Sequence, residues 1–531
     1  MGIEKNGPEP QGSGPFSFEK RSWIVFAITT FLVVLVGGGM MVLYRWSATH
    51  LRERVVQKLS QRFDSSVELG SIELSLQPNP TITGRGLVLR AHGRQDVPPL
   101  IQLDSFEAET GWSGLLGHHV DVIRLTGLRI TTPPKSDTPP PRRVPPGGKK
   151  PADDIPIPTV GRIIADGTIL TRIPKQAGKA PLVWKLRQLT ITDVDSKGGM
   201  KYHTKLDNAI PPGAIEATGH FGPWKAEEPG GTPLDGDYTF GNADLGVFHG
   251  IRGTLSAQGK FSGALSTIKT HGTTDTPDFV VDTGGHPMHL KTEYDAVVDG
   301  TDGNTYLNPV RASFGQTVMI AKGAIEAKPG GHGKDIRLDI RTERARVEDV
   351  LKLAVPAAKP VMTGRMTFTT KFFLPAGPRH VVDKLFLDGQ FSVSGAHFPD
   401  AQSKIDTLSR KGQGQPKNEQ IANVEAELQG DFHLKEAVMQ LAGVKFGVPG
   451  AEVDVDGNYR LHDQQMAFSG HLYIDAPVSK TMTGYKSLLL KLADPLFKNK
   501  NGPGSRIPFE ISGTPENPRL GFDLMKVFRR E

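Results

Sequence analysis

The chain has 531 residues and a net charge of +6, from 63 Lys and Arg against 57 Asp and Glu. This small excess, without a basic block interleaved with aromatic residues, argues against nucleic-acid binding. The absence of cysteine excludes disulfides, thiolate metal sites and cysteine nucleophiles. With 61 glycines and 41 prolines spread along a chain that is 37% hydrophobic, the composition predicts a mainly β protein of many short strands, long enough for two or more domains.

The first predicted element is a membrane anchor. Residues 22–44 carry no charge, and their 23 positions would span about 35 Å as a helix, enough to cross a bilayer core of about 30 Å. The anchor residues are Trp23, Phe31, Leu35 and Tyr44. A cleaved signal peptide is the alternative, but its apolar region would be shorter and "YRWSATH" is a poor cleavage site. Basic residues flank both ends, so charge alone leaves the side of the membrane open.

An amphipathic helix is predicted at 48–63, where apolar residues recur every four positions from Leu51 to Phe63. Strands follow at 67–77 and 120–133. Ten prolines between Pro133 and Pro158 then predict a flexible polyproline-type loop. Because strand patterns resume at residue 162, the loop is interpreted as an excursion from one sheet and not a domain boundary. A proline-rich recognition peptide is the alternative.

From Leu234 onward, short alternating runs end in glycine or in Asp-Gly, which predicts successive antiparallel hairpins and roughly two dozen strands in all. Short helices are expected at 346–355 and 400–410. A further helix is predicted at 479–497, where it packs on the end of the sheet or contacts a membrane surface.

The segment "AEVDVDGNYRL" at 451–461 alternates strictly. Val453, Val455, Tyr459 and Leu461 form one apolar face, and Gly457 interrupts the apolar series. Such a face covers either the protein's own core or a ligand.

Motifs for chemistry are missing. "GTLSAQGKF" departs from a phosphate-binding loop in its glycine spacing and lacks the final hydroxyl, so a hairpin turn is expected. "DGTDGN" at 299–304 does not match a calcium loop and is expected to be a turn. With neither a G-x-S-x-G nor an H-E-x-x-H motif, we expect no enzyme, no metal and no cofactor.

Several segments together resemble a known family. They are "VELGSIELSLQPNPTITGRGLVLR", "GWSGLLGHHVDVIRLTGLRI" and "GAEVDVDGNYRLHDQQMAFSGHLYID". The chain resembles the AsmA-like proteins of Gram-negative envelopes, bridge-like lipid carriers related to YhdP and TamB. The resemblance implies a cytoplasmic tail (1–21), an inner-membrane anchor (22–44), an N-terminal helix with the first strands (45–131), the proline-rich loop (132–160), a repeated β-hairpin body in the periplasm (161–478) and a closing helix with strands (479–531).

The resemblance also implies a long, curved antiparallel sheet whose apolar groove meets acyl chains. Its candidate lining residues are Val453, Val455, Tyr459, Leu461, Met466, Phe468, Leu472 and Ile474. The expected ligand is a phospholipid or other acyl lipid, and the expected membrane is the inner and possibly the outer one. Carrying a 16-carbon chain through water would cost about 13 kcal/mol. The alternative is a non-carrier envelope protein with protein partners, which assists outer-membrane protein assembly and whose apolar faces close as an ordinary core.

Overall fold

The computed structural model describes much of the chain after residue 51. The described residues are 52, 53, 56, 57, 60, 65–91, 97–117, 119–132, 159–173, 180–194, 199–225, 228–248, 250–282, 286–328, 333–354, 359–416, 422–476, 505–514 and 517–521. The predicted anchor with Trp23, Phe31, Leu35 and Tyr44, the loop at 133–158 and the helix at 479–497 lie outside them. Within the described part of the chain, no helix is long and apolar enough to span a membrane.

The described chain is mainly β with few helices, which confirms that part of the predicted fold class. It divides into two compact units. Unit 1 comprises residues 1–241, 259–269 and 298–303, and unit 2 comprises residues 242–258, 270–297 and 304–531.

Unit 1 holds the first strands and one short helix. The strands are β1 (Ser65–Glu68), β2 (Ser71–Ser75), β3 (Thr81–Ala91), β4 (Ile101–Glu109), β5 (His119–Thr126), β6 (Arg129–Thr132), β7 (Thr159–Ile164), β8 (Thr168–Arg172), β9 (Leu182–Val194), β10 (Met200–Asn208), β11 (Gly213–Phe221) and most of β12 (Pro233–Asp244). Helix α1 (Trp112–Gly117) lies between β4 and β5. The described residues between 52 and 60 are also helical, as predicted.

Three positions in the sheet of unit 1 are each occupied by two short strands. Strands β1 and β2 both pair with β3, β5 and β6 both pair with β4, and β7 and β8 both pair with β9. Gly127 and Gly167 have positive φ angles of 69° and 73° where β5 gives way to β6 and β7 to β8. These left-handed positions favour glycine because it has no Cβ.

Two of the pairings in unit 1 are parallel. Strand β5 pairs with β7, and β6 with β8, both in parallel register. The resemblance implies an antiparallel sheet, and these two pairings make the sheet of unit 1 mixed instead. Parallel neighbours need a long crossover connection, and the proline-rich segment at 133–158 stands between β6 and β7. Both flanking strands belong to unit 1.

A closed core fills this part of unit 1. Its largest buried side chains, each at most 1% exposed, include Ile82, Phe106, Ile123 and Ile163 on β3, β4, β5 and β7. Val56 of the N-terminal helical segment packs against the same cluster. The apolar residues of the predicted spacing, Leu51, Val55, Leu59 and Phe63, lie outside the described residues.

Unit 2 holds the remaining strands. They are β13 (Ile251–Arg252), β14 (Thr254–Ala264), β15 (Thr267–Val281), β16 (Met288–Val298), β17 (Thr305–Phe314), β18 (Thr317–Ala327), β19 (Lys334–Arg346), β20 (Thr363–Leu374), β21 (Phe386–His397), β22 (Ala426–Lys435), β23 (Val438–Val448), β24 (Ala451–Arg460), β25 (Met466–Ile474), β26 (Ser505–Thr514) and β27 (Asn517–Gly521). The second half of β14, the start of β15 and the last residue of β16 belong to unit 1. From β17 to β27 each strand pairs antiparallel with the next.

Three α-helices connect strands in the described part of unit 2. They are α2 (Val347–Ala354), α3 (Val381–Lys384) and α4 (Gln402–Gly412). Helices α2 and α4 confirm the helices predicted near 346–355 and 400–410. Both lie at the same end of the antiparallel sheet, where Leu351 and Leu408 pack on a buried cluster that includes Ala396, Ala426 and Ile474. One end of this sheet is therefore closed by helices.

Candidate functional site

The register of β24 and β25 places seven of the eight predicted residues on one face. Directly paired residues of antiparallel strands point to the same side of the sheet. The pairs are Val453 with Leu472, Val455 with Gly470, Gly457 with Phe468, Tyr459 with Met466 and Ala451 with Ile474. Leu461 continues the same phase in the turn that follows β24 and donates its N–H to the Ala437 carbonyl at 2.9 Å.

The same face continues across neighbouring strands of unit 2. One row of paired residues comprises Leu338, Phe372, Leu387, Leu434, Met439, Tyr459 and Met466. The next row comprises Ile340, Thr370, Gly389, Phe432, Leu441, Gly457, Phe468 and Ile511. We call the side of the sheet that carries these two rows the apolar face of unit 2. The alternation at 451–474 is thus one part of a wider apolar surface.

Most side chains of the apolar face are half-buried. Among the eight predicted residues, all are half-buried except Ile474, which is 5% exposed. Ile474 belongs to the buried cluster under α2 and α4, and Leu472 packs against that cluster. These two residues therefore contact the protein's own core, and a ligand-binding role remains a prediction for the six residues farther from the helices.

The apolar surroundings of Tyr459 change the pKa of its phenol. Burial raises the pKa of its phenol above the usual value, because a low-polarity environment disfavours the charged phenolate. Tyr459 pairs with Met466 on one side and Met439 on the other. A neutral tyrosine between two methionines suits contact with an apolar ligand.

The opposite face of the same strands is polar. His433 Nδ1 lies 3.0 Å from Asp388 Oδ1, and Lys445 Nζ lies 3.8 Å from Glu452 Oε1. All four residues are exposed and alternate with residues of the apolar face. Exposed pairs of this kind contribute only about 0–1 kcal/mol each. Their main effect is to make this side of the sheet soluble, so the two faces differ sharply in polarity.

Aromatic rings lie over glycines of neighbouring strands on the apolar face. A Cβ added to Gly389 would meet Phe432 Cζ at 2.8 Å, and one added to Gly457 would overlap the Phe468 ring. The sequence suggested that Gly457 interrupts the apolar surface. It does not, because the Phe468 ring covers it. Sequence reasoning missed this arrangement. The available signal was a glycine in the apolar phase of a strand with an aromatic residue in the next strand.

Threonine side chains occupy the less exposed face of another strand pair in unit 2, β15 and β16. Thr274 Oγ1 on β15 lies 2.7 Å from Thr292 Oγ1 on β16, and Thr276 is 1% exposed. His271 and Asp295 form an ion pair of 2.9 Å from the alternate, exposed positions of these strands. The alternation of exposed and less exposed residues thus continues along β15 and β16, with threonine in place of large apolar residues.

The described residues hold no group of three or more His, Cys, Asp or Glu side chains suited to a metal ion. The segment "DGTDGN" is a turn, as predicted, in which Asp299 Oδ1 accepts the Thr301 N–H at 2.8 Å. The prediction of a hairpin turn at "GTLSAQGKF" is wrong, because nearly all of that segment lies within strand β14. Gly259 instead occupies a strand position, which period-2 alternation alone does not exclude, and Gly253 lies between β13 and β14.

Comparisons with known proteins gave no match to a family model, to a curated protein or to a solved structure.

Proposed function

We propose that this chain is an envelope protein, anchored in the inner membrane with its bulk in the periplasm, that holds or moves phospholipid or glycolipid acyl chains on the apolar face of unit 2. Its role would lie in outer-membrane biogenesis and lipid homeostasis. The observation that carries the proposal is the set of half-buried apolar rows, which include Tyr459, Met466 and Phe468.

Physical chemistry favours an acyl chain as the occupant of such rows. Covering apolar surface gains about 25 cal/mol per Å², without any need for directional contacts. A row of Leu, Met, Phe and Tyr side chains therefore attracts a long hydrocarbon chain without a fitted pocket. The polar headgroup would stay in water at the edge of the sheet.

A second candidate function is an interaction protein whose apolar face is closed by protein. The cluster beneath α2 and α4 favours this reading for one end of the sheet, because Ala396, Ala426 and Ile474 are buried there. The two functions differ in what covers the remainder of the face, which is the point an experiment must decide.

A pair of substitutions separates the two functions. Ile474→Asp places an unpaired charge in the closed cluster, which costs several kcal/mol, and should abolish cooperative unfolding. Val455→Asp places the same charge at a half-buried position. If lipid covers Val455, this variant should stay folded and lose the lipid that co-purifies with the chain, measured by mass spectrometry.

The matched control is Gln440→Asp, at an exposed position of the neighbouring strand β23. It adds the same charge on the polar side and should keep both fold and lipid. Loss of folding in Val455→Asp would favour the closed-core function. Unchanged lipid in a folded Val455→Asp variant would contradict lipid binding at this face.

A further inference from the structure

Two loops lie side by side at one end of the sheet in unit 1. Residues 76–80 connect β2 to β3, and residues 110 and 111 connect β4 to Trp112, the first residue of α1. The Thr110 N–H donates to the Pro80 carbonyl at 3.1 Å, and Asn79 Nδ2 donates to Glu109 Oε1 at 3.1 Å. We call these two loops, together with Trp112, the tip of unit 1. Their mutual hydrogen bonds fix their positions relative to each other.

The tip exposes two large apolar side chains. Leu76 is 47% exposed and Trp112 is 53% exposed. Scattered single apolar residues on a surface need no explanation, but here two lie at adjacent, hydrogen-bonded loops. Tryptophan is the side chain most suited to the bilayer interface, since its ring is apolar and its indole N–H is polar.

The course of the chain relates the tip to the predicted anchor. Arg52 Nε donates to the Leu69 carbonyl at 2.6 Å, whereas Ser65 pairs with Ala91, farther from the tip. From residue 52 to residue 65 the chain therefore runs away from the tip.

The distances agree with this course. Val88 pairs with Glu68, next to Leu69, and lies seven residues along β3 from Thr81 at the tip, or about 23 Å. The uncharged segment ends at Tyr44, eight residues before Arg52. Eight residues cover about 12 Å as a helix and about 26 Å when extended. An extended connection of this length would let the end of the predicted anchor reach the tip.

We propose that the tip of unit 1 rests on the membrane surface from which the chain emerges, with Leu76 and Trp112 inserted at the level of the lipid headgroups. This inference rests on the anchoring part of the proposed function and is independent of lipid binding on the apolar face. The occupant of the tip is the bilayer interface itself.

Single-cysteine labelling tests the proposal, because the natural chain contains no cysteine. Leu76→Cys and Trp112→Cys, made separately in the full chain, would each carry an environment-sensitive fluorophore. The labelled proteins are reconstituted into vesicles of phosphatidylethanolamine and phosphatidylglycerol that contain nitroxide-bearing lipid. Both labels should show blue-shifted emission and loss of fluorescence to the nitroxide. Because both side chains are exposed, neither substitution should disturb folding, which circular dichroism checks.

Ile210→Cys is the matched control. Ile210 is also 53% exposed, but it lies in the turn between β10 and β11. Val160 on β7 pairs with Val194 on β9, and Lys201 on β10 pairs with Thr192 on β9, both at the end of the sheet where the tip lies. Strand β10 therefore starts near the tip, and its last residue, Asn208, lies at the opposite end of the sheet. The label at 210 should keep its fluorescence in the same vesicles.

Four outcomes would overturn the proposal. Unquenched labels at 76 and 112 in a chain that floats with the vesicles would refute contact by the tip while leaving the anchor intact. Equal quenching at 210 would show contact without preference for the tip. A chain that does not float at all would remove the anchor, and with it both the proposed location and this inference. Protection of the two labels in cells but not in lipid vesicles would assign the tip to a protein partner instead.

Discussion

Gly457 occupies the apolar phase of β24, where a larger residue would be expected, and the Phe468 ring fills the space above it. The alternation of 451–474 could be predicted from the sequence because side chains of a strand alternate between faces. The glycine and ring pair could not, because it depends on which residue of β25 lies opposite Gly457. Register is a property of two strands together.

Gly457→Ala tests this packing. Its new Cβ would overlap the Ala467 carbonyl oxygen and the Phe468 ring, so we expect a loss of about 1–3 kcal/mol in unfolding free energy, as for overpacked sites. Gly447→Ala on β23 is the control, since a Cβ there meets nothing within 4 Å. Chemical denaturation of both variants makes the comparison. Equal stability of the two would refute the packing of Phe468 over Gly457.

Tyr202 provides a pH-dependent prediction in unit 1. Burial, together with Asp235 and Asp237, raises its pKa to about 12 from 10.0. A raised pKa means that the fold favours the protonated phenol. Its contribution to stability is complete below pH 10 and is lost as the pH rises toward 12.

Tyr202→Phe should remove this dependence, because phenylalanine does not titrate. Unfolding free energies of the natural chain and the variant, measured from pH 9 to 12, should converge as the pH rises. A difference spectrum of tyrosinate absorbance would assign the titration. A constant difference in stability over this range would contradict a raised pKa.

At the scale of elements, alternation predicted where strands lie but not which strands are neighbours. The parallel pairs β5 with β7 and β6 with β8 have the same local pattern as the hairpins of unit 2. Similarly, Val453 and Ile474 look equivalent in sequence. Only the cluster beneath α2 and α4 separates the buried Ile474 from the half-buried Val453.

Helix α4 is held by Asp406. Its carboxylate accepts the Val424 N–H at 2.9 Å, the Asn423 N–H at 3.3 Å and Gln402 Nε2 at 3.0 Å. Burial alone would raise the pKa of Asp406, but these hydrogen bonds outweigh it and hold the pKa below its ordinary value of 3.8. The carboxylate therefore stabilises the fold above this ordinary value, and the contribution is lost as the pH falls through the lower value of the folded state.

Asp406→Asn should lower stability at neutral pH by about 1–3 kcal/mol, because backbone N–H groups lose a charged acceptor. The difference from the natural chain should shrink as the pH falls below 3.8. Asp400→Asn, at an exposed position just before α4, should have only a small effect. Thermal unfolding over a range of pH provides the measurement, and a difference that grows in acid would contradict the assigned role.

At the scale of the whole molecule, the two units use their apolar residues differently. The strands from β3 to β9 in unit 1 enclose side chains such as Phe106 and Ile123 almost completely. The apolar face of unit 2 leaves Val455, Met466 and Phe468 half-buried. The central claim is that acyl lipid covers this second surface. Alternation along β25 provides an internal control, because adjacent residues point to opposite faces.

Site-specific photocrosslinking in cells tests this claim most directly. A benzophenone amino acid is placed at Met466 or Phe468 on the apolar face, and at Ala467 or Ser469 on the exposed face of the same strand. After irradiation, mass spectrometry identifies lipid attached to the purified chain. Our account predicts lipid adducts at 466 and 468 and none at 467 and 469. Adducts at neither face, or at both faces equally, would contradict it.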